Sequence, residues 1–241
     1  MAAATDDRSE HDVFLKVSAA PGLDLEGLVN EAFAACIVTH LGLPLCEPLL
    51  VELTQEWIGA VPDHAVSETL QQSSSVGFGS VAAGEGWRSW IASDTVSPAQ
   101  RAFALAIVAF DAFVENPDRR PSNPNLLIKA SSLRAIDHEM AFRIRMLLPP
   151  PRPWAVGGLR RLTQPDGHVL ALLLKCQCEL DFASIRESWS GLSDDALAEC
   201  AAAMPAEWAA ATSAIADALT HLRTVRDRID ECLEELRRVL E

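Results

Sequence analysis

The sequence contains no apolar run long enough to cross a bilayer, which takes about 20 such residues in a helix. Its start, MAAATDDRSEHD, is acidic and polar and lacks the basic and apolar regions of a signal peptide. Positive charge is scarce: 20 Lys and Arg stand against 34 Asp and Glu, for a formal net charge of −14. A footprint on a nucleic-acid backbone needs clustered cations, so nucleic acid is a poor candidate partner. The six cysteines (36, 46, 176, 178, 200, 232) include no paired Cys-x-x-Cys of a zinc module. Cys176 and Cys178 alone are weak ground for a metal, and buried free thiols in a cytoplasmic protein are the expectation. No internal repeat and no low-complexity tract is present. What remains is a globular balance, 49% hydrophobic and 22% charged over 241 residues, enough for one sizeable core or a two-lobed unit.

The first dozen residues read as a disordered tail. VFLKVS (13–18) alternates, with Val13, Leu15 and Val17 on one face and Phe14 and Lys16 on the other, which predicts a strand. LEGLVNEAFAACIVTHLG follows as an amphipathic helix stopped at Gly42. EPLLVELTQEW predicts a second strand. From Ser73 to Gly86 the chain is Ser/Gly-rich (SSSVGFGSVAAGEG) and reads as a long loop. Ser97-Pro98 starts a helix whose run AFALAIVAFDAFV is apolar nearly all round and therefore buried. LLIK and LRAID read as a hairpin. Beyond Arg143 the chain turns Pro-rich (LLPPPRPW) and is then helical to its end. One last helix begins near MPAEW. In it Ile215, Leu219, Leu222, Ile229, Leu233, Leu236 and Leu240 recur at four- and three-residue steps, a core-facing stripe in preference to a coiled coil. The six Trp (57, 87, 90, 154, 189, 208) read as packing residues.

Between the buried helix and the hairpin lies FVENPDRRPSNPNLL (113–127), with three Asn, three Pro and an Asp-Arg-Arg cluster. A solvated loop accounts for its polarity but not for its particular residues. Asp118 and Asn123 stand five apart, and Asp137 follows at the end of the hairpin. Phosphoryl transfer needs these types: a base or positioner for the attacking hydroxyl, and hard oxygen ligands for Mg2+. Asn is a neutral oxygen ligand that avoids piling up negative charge. Two further parts are needed, a Lys on a strand to hold nucleotide phosphates and a Glu on the next helix to orient it. Lys16 and Glu31 supply them in the required order. Asn125 suits a bracing role through backbone hydrogen bonds, and His138 suits a structural one.

FVENPDRRPSNPNLL…LRAIDHEMAF resembles the catalytic segment of the HipA-like kinases, in particular the small bacterial HipA-like kinase domain family, and more distantly that of the phosphatidylinositol kinases. The likeness extends to FLKVS, LVNEAFAACIVTHLGLP, VGFGS and the late PAEW. It implies Asp118 as the catalytic residue, Asn123 and Asp137 as metal ligands, and Lys16 with Glu31 as the anchor for ATP. It further implies Mg2+, a protein Ser/Thr or small-molecule hydroxyl as acceptor, and room for an antitoxin-like or regulatory protein partner. The implied architecture is α+β and protein-kinase-like: a tail over 1–12, a reduced N-terminal lobe over 13–56, and a mainly helical C-terminal lobe over 57–241.

The chain departs from the pattern at three places. Only fifteen residues precede Lys16, none of them Gly, so either the phosphate-covering loop is lost or VGFGS, with Gly77, Gly79 and Ser80, reaches over the phosphates from elsewhere. Arg120 stands where the lipid kinases carry His. His138-Glu139 follows Asp137 where protein kinases have Phe-Gly. A nucleotide-binding module without catalysis is the alternative these departures leave open.

Overall fold

The alternation of VFLKVS does make a strand, but the strand begins earlier than its apolar residues do. The computed structural model describes residues 2–4, 10–142, 151–175 and 180–241, with side chains from residue 10 onward. β2 runs Glu10–Lys16, and β1 (Ala2–Ala4) pairs antiparallel with its start, Ala4 opposite Glu10. Part of the expected tail is therefore sheet. Backbone pairing carries this edge, and the polar Glu10–Asp12 hides it from hydrophobic periodicity.

α1 (Leu25–His40) begins at Asp24, whose carboxylate accepts from the Gly27 amide at 2.7 Å. It ends where Gly42 takes φ 68°, the left-handed conformation that glycine tolerates. The helix is buried nearly all round, Asn30 and Glu31 included. β3 (Pro48–Glu52), α2 (Gln55–Gly59) and α3 (His64–Gln72) follow.

The Ser/Gly-rich loop expected over 73–86 is corrected by β4 (Val76–Val81). The sheet order is β1-β2-β4-β3, so VGFGSV lies between β2 and β3. A Cβ on Gly77 would stand 2.8 Å from Leu15 Cδ1 and 2.9 Å from the Lys16 carbonyl oxygen, and one on Gly79 would stand 2.8 Å from Val51 Cγ2. Glycine is needed there for close strand approach, not for mobility. The boundary expected after residue 56 consequently cuts across the sheet. On the sheet's outer face Val17, Leu53, Ile58 and Leu70 form a small cluster with α2 and α3.

β5 (Arg88–Ser89), β6 (Leu126–Lys129) and β7 (Ser132–Ala135) make a second antiparallel sheet, β6 and β7 being the expected hairpin. α4 (Arg101–Phe113) enters after a 3-10 turn at Pro98–Gln100 and is buried from Ala104 on, apart from Ala106. Then come α5 (Val169–Leu174), α6 (Phe182–Ser190), α7 (Asp194–Ala202), a 3-10 turn at Ala206–Ala211, α8 (Thr212–Asp227) and α9 (Ile229–Leu240). The single terminal helix expected from MPAEW is thus two helices after a 3-10 turn. The chain breaks at Arg228, which lets α9 lie against α6. Ile215, Leu222, Ile229, Leu233, Leu236 and Leu240 all enter the main core. The fold is α+β. No helix among the described residues is long and apolar enough to cross a membrane. Of the Pro-rich stretch LLPPPRPW, residues 147–150 lie outside the described residues.

Cys36 on α1 and Cys200 on α7 form a disulfide across a separation of 164 residues. Helix packing brings the two thiols together, and this corrects the free-thiol expectation for that pair. Cys46 and Cys232 are buried and free as expected; Cys176 and Cys178 lie outside the described residues.

Candidate active site

The loop Asn116–Asn125 is built on a buried ion pair. Asp111, within the buried part of α4, and Arg119 both have fully buried side chains. Arg119 Nε donates to Asp111 Oδ2, and its guanidinium also donates to the carbonyl oxygens of Asn125 and Ile136. One side chain therefore fixes the loop to the helix before it and to the hairpin end after it. His168 completes the set. Its Nδ1 accepts from the amides of Leu170 and Ala171 at the start of α5, so Nε2 carries the proton and donates to Asp111 Oδ2 at 2.9 Å. Burial alone would raise the Asp111 carboxyl, but the Arg119 charge and the His168 hydrogen bond hold it well below the usual carboxylate range.

On this frame Asp118 Oδ2 accepts from Asn123 Nδ2 at 2.7 Å and from Asn125 Nδ2 at 3.3 Å, and Oδ1 accepts from Arg120 at 2.9 Å. Arg120 thus pairs with an acid. Asn125 sits at φ 47° and Asp137 at φ 62°, both in the sparsely populated left-handed region where strain gathers at functional sites.

The second half of the site lies between the sheets. Lys16 Nζ donates to Glu31 at 2.9 Å, Asp137 at 2.6 Å and Glu139 at 2.9 Å. Burial works against the Lys16 charge, but Glu31 and Asp137 outweigh it and raise the ammonium above the ordinary lysine range. Burial likewise opposes the Glu31 charge, yet His138 and Lys16 bring its carboxyl down to about 2. The buried His138 lies edge-on to Phe110, and its amide donates to Glu31 at 2.6 Å. Above this polar floor opens a cavity of about 300 Å3 whose walls include Phe14, Ala35, Leu45, Phe78, Leu127 and Ile136.

Lys16, Glu31, Ser80 and Asp137 all line that cavity. Gly77 and Gly79 do not: their free sides face Leu15 and Val51 across the sheet, while Phe78 and Ser80 take the cavity side. Asp118 and Asn123 lie on the tethered loop, outside the cavity lining. The cluster Glu31, Asp137, Glu139 brings three carboxylate oxygens within 4.8 Å of one another, a hard donor set suited to Mg2+.

Compared with models of known protein families, residues 8–147 match that of the HipA-like kinases. This is more than half of the chain. The chain belongs to the HipA-like kinase family. Membership suggests a kinase, as the motifs imply. A search of curated proteins finds no match. In this member of the family three site residues have no role assigned by the motifs. Glu139 had a signal, an acid two residues after Asp137. Asp111 and Arg119 had another, a lone charge inside a buried helix, which demands a partner.

Two outcomes follow from these environments. Burial pushes the His168 and His221 imidazoles below their ordinary value. The unfolded chain takes up those protons near pH ~6.5, so it binds more protons than the fold does and stability falls as pH drops below that value. A second loss begins below 4.5, the ordinary value of Glu31, and is complete only near its folded value of about 2. Urea unfolding across pH checks both limbs, and His168→Asn with His221→Asn should flatten the upper one.

Lys16→Met removes the one cation from among three carboxylates. The expected loss is about 2–3 kcal/mol, smaller at acid pH, where a carboxyl takes a proton, and smaller with Mg2+. Melting curves with and without Mg2+ decide it: a metal-induced rise no larger than the parent's counts against this arrangement.

Proposed function

We propose that the chain is an ATP- and Mg2+-dependent kinase of the cytoplasm that phosphorylates a hydroxyl, most simply that of a protein Ser or Thr. The observation that carries this reading is the convergence of Lys16, Glu31 and Asp137 on the polar floor of an apolar cleft, with Asp118 on a loop tied to the same hairpin end. The apolar walls suit the nucleotide base, and Ser80 adds a hydroxyl beside it. Lys16, oriented by Glu31, holds phosphate oxygens. Asp137 and Glu139 would hold Mg2+, with the amide oxygen of Asn123 as a neutral ligand. When bound, the ion neutralises phosphate charge. Asp118 orients the acceptor hydroxyl and receives its proton as the oxygen bonds to the γ-phosphorus and the bond to the β–γ bridging oxygen breaks. A polar hollow of about 490 Å3 beside the loop, lined by Pro117, Arg120, Arg161 and Gln164 among others, suits an acceptor segment.

A second reading, a nucleotide-binding module acting through a regulatory or antitoxin-like protein partner, has one observation in its favour. VGFGS is a packed strand whose Gly77 and Gly79 do not line the cleft, so these glycines do not cover the phosphates. Incubating the chain with γ-labelled ATP, Mg2+ and mixed protein or small-molecule acceptors, beside a thermal-shift titration, separates the two. Mg2+-dependent label transfer supports the kinase. A thermal shift without transfer supports the module. Neither shift nor transfer overturns both.

A further inference from the structure

Outside the nucleotide cleft, α1 and α7 bring a second group of ligating side chains together. Cys36 and His40 stand one helical turn apart and leave α1 on the same side. Cys200 meets them from α7, with Glu199 beside it in sequence. The two sulfurs and an imidazole nitrogen lie within 4.8 Å of one another. A Glu199 carboxylate oxygen stands 3.9 Å from His40 Nε2. Two thiolates, an imidazole and a carboxylate are the donor set of zinc, not of magnesium. Two Zn–S bonds of about 2.3 Å place the sulfurs roughly 3.7 Å apart around a tetrahedral ion, so the two bonded sulfurs must part on reduction to admit one. The His40 and Glu199 side chains are 31% and 75% exposed, which gives an ion a path from solvent.

We propose that the reduced chain binds a zinc-class divalent cation at this seam through Cys36, His40 and Cys200, with Glu199 as fourth ligand. The disulfide is the oxidised, metal-free form of the same site. A dithiol reductant delivers two electrons and two protons to the S–S bond, becoming a disulfide itself and leaving two thiols. Metal uptake then releases both thiol protons as two metal–sulfur bonds form. In a reducing cytoplasm, where disulfides rarely persist, the ion would take over the tie between α1 and α7. The site stands independently of the phosphotransfer reading.

The test is a titration of the full chain, reduced and freed of metal, with Co2+ as optical probe and then Zn2+. One Co2+ per chain is expected to bind with sulfur-to-cobalt charge transfer and intense tetrahedral bands, to be displaced by Zn2+, and to give neither signal with the oxidised chain. Cys36→Ser and Cys200→Ser should each abolish the charge transfer, and Cys176→Ser with Cys178→Ser should leave it. Losing even an outer-sphere partner costs a metal site about 10- to 100-fold in affinity, so His40→Ala should weaken Zn2+ by about tenfold or more. A reduced chain without sulfur charge transfer overturns the proposal, as does a signal that follows Cys176 and Cys178. If the Cys36 variant does not fold, His40→Ala decides alone, and unchanged affinity overturns it.

Discussion

Asp111→Ala is expected to lower the unfolding free energy by about 3–5 kcal/mol, the cost of leaving one member of a buried ion pair without its partner. The side chains of Asp111 and Arg119 are both fully buried, so water cannot replace the lost carboxylate. Arg119 would keep only the carbonyl oxygens of Asn125 and Ile136, while Asn116 Nδ2 and His168 Nε2 would each lose an acceptor. The loss therefore exceeds that of one hydrogen bond. It should also reach the site, because the same guanidinium ties the loop bearing Asp118 to the residue before Asp137. Urea unfolding of the single variant measures the effect. Asp111→Ala combined with Arg119→Met should recover a large share of it, since an apolar pair removes the stranded charge. A single-variant loss below about 1 kcal/mol would mean that the pair behaves like a surface salt bridge and that the frame rests elsewhere.

The contrast between what the sequence discloses and what it conceals follows the range of the interactions. Lys16 is legible because alternation sets its side of the strand, and Glu31 because phosphate binding by that Lys asks for an acid on the helix that follows. Asp137 is legible because the short hairpin leaves little freedom in where its end falls. β4 is hidden because Gly77 and Gly79 erase the usual strand signal; glycine is depleted in strands, and the reason for it here is a neighbouring backbone far away in sequence. Leu15 and Val51 impose those glycines, and only the assembled sheet brings them near. The break at Arg228 is hidden for a similar reason, since the apolar stripe continues through it and the turn is set by what α9 packs on. Cys36 and Cys200 are likewise joined by helix packing across 164 residues, beyond anything that spacing encodes. Asp111 is different: a charge in a buried helix is visible in the sequence and demands a cation, which Arg119 supplies from eight residues on.

Asp118→Asn should slow phosphoryl transfer by about 10²–10⁴-fold, the usual contribution of a positioned general base, and leave the fold almost untouched. Asn has the same shape and keeps one oxygen, so either the Arg120 bond or the Asn123 and Asn125 bonds survive. Arg120 is 47% exposed, and a pair that open to solvent contributes about 0–1 kcal/mol. The stability change is therefore held near 1 kcal/mol, while the barrier rises by roughly 3–5 kcal/mol at 1.36 kcal/mol per tenfold. Nucleotide binding should hold, since Asp118 is not among the residues lining the cleft that holds Lys16, Glu31 and Asp137. Label transfer from ATP, nucleotide-induced thermal shift and melting temperature, taken on one preparation, separate the three effects. Full activity in this variant removes Asp118 from the chemistry. Lost activity with lost nucleotide binding points instead to a loop that shapes the cleft. Lost activity with intact binding and an intact fold assigns Asp118 to the acceptor side of the reaction.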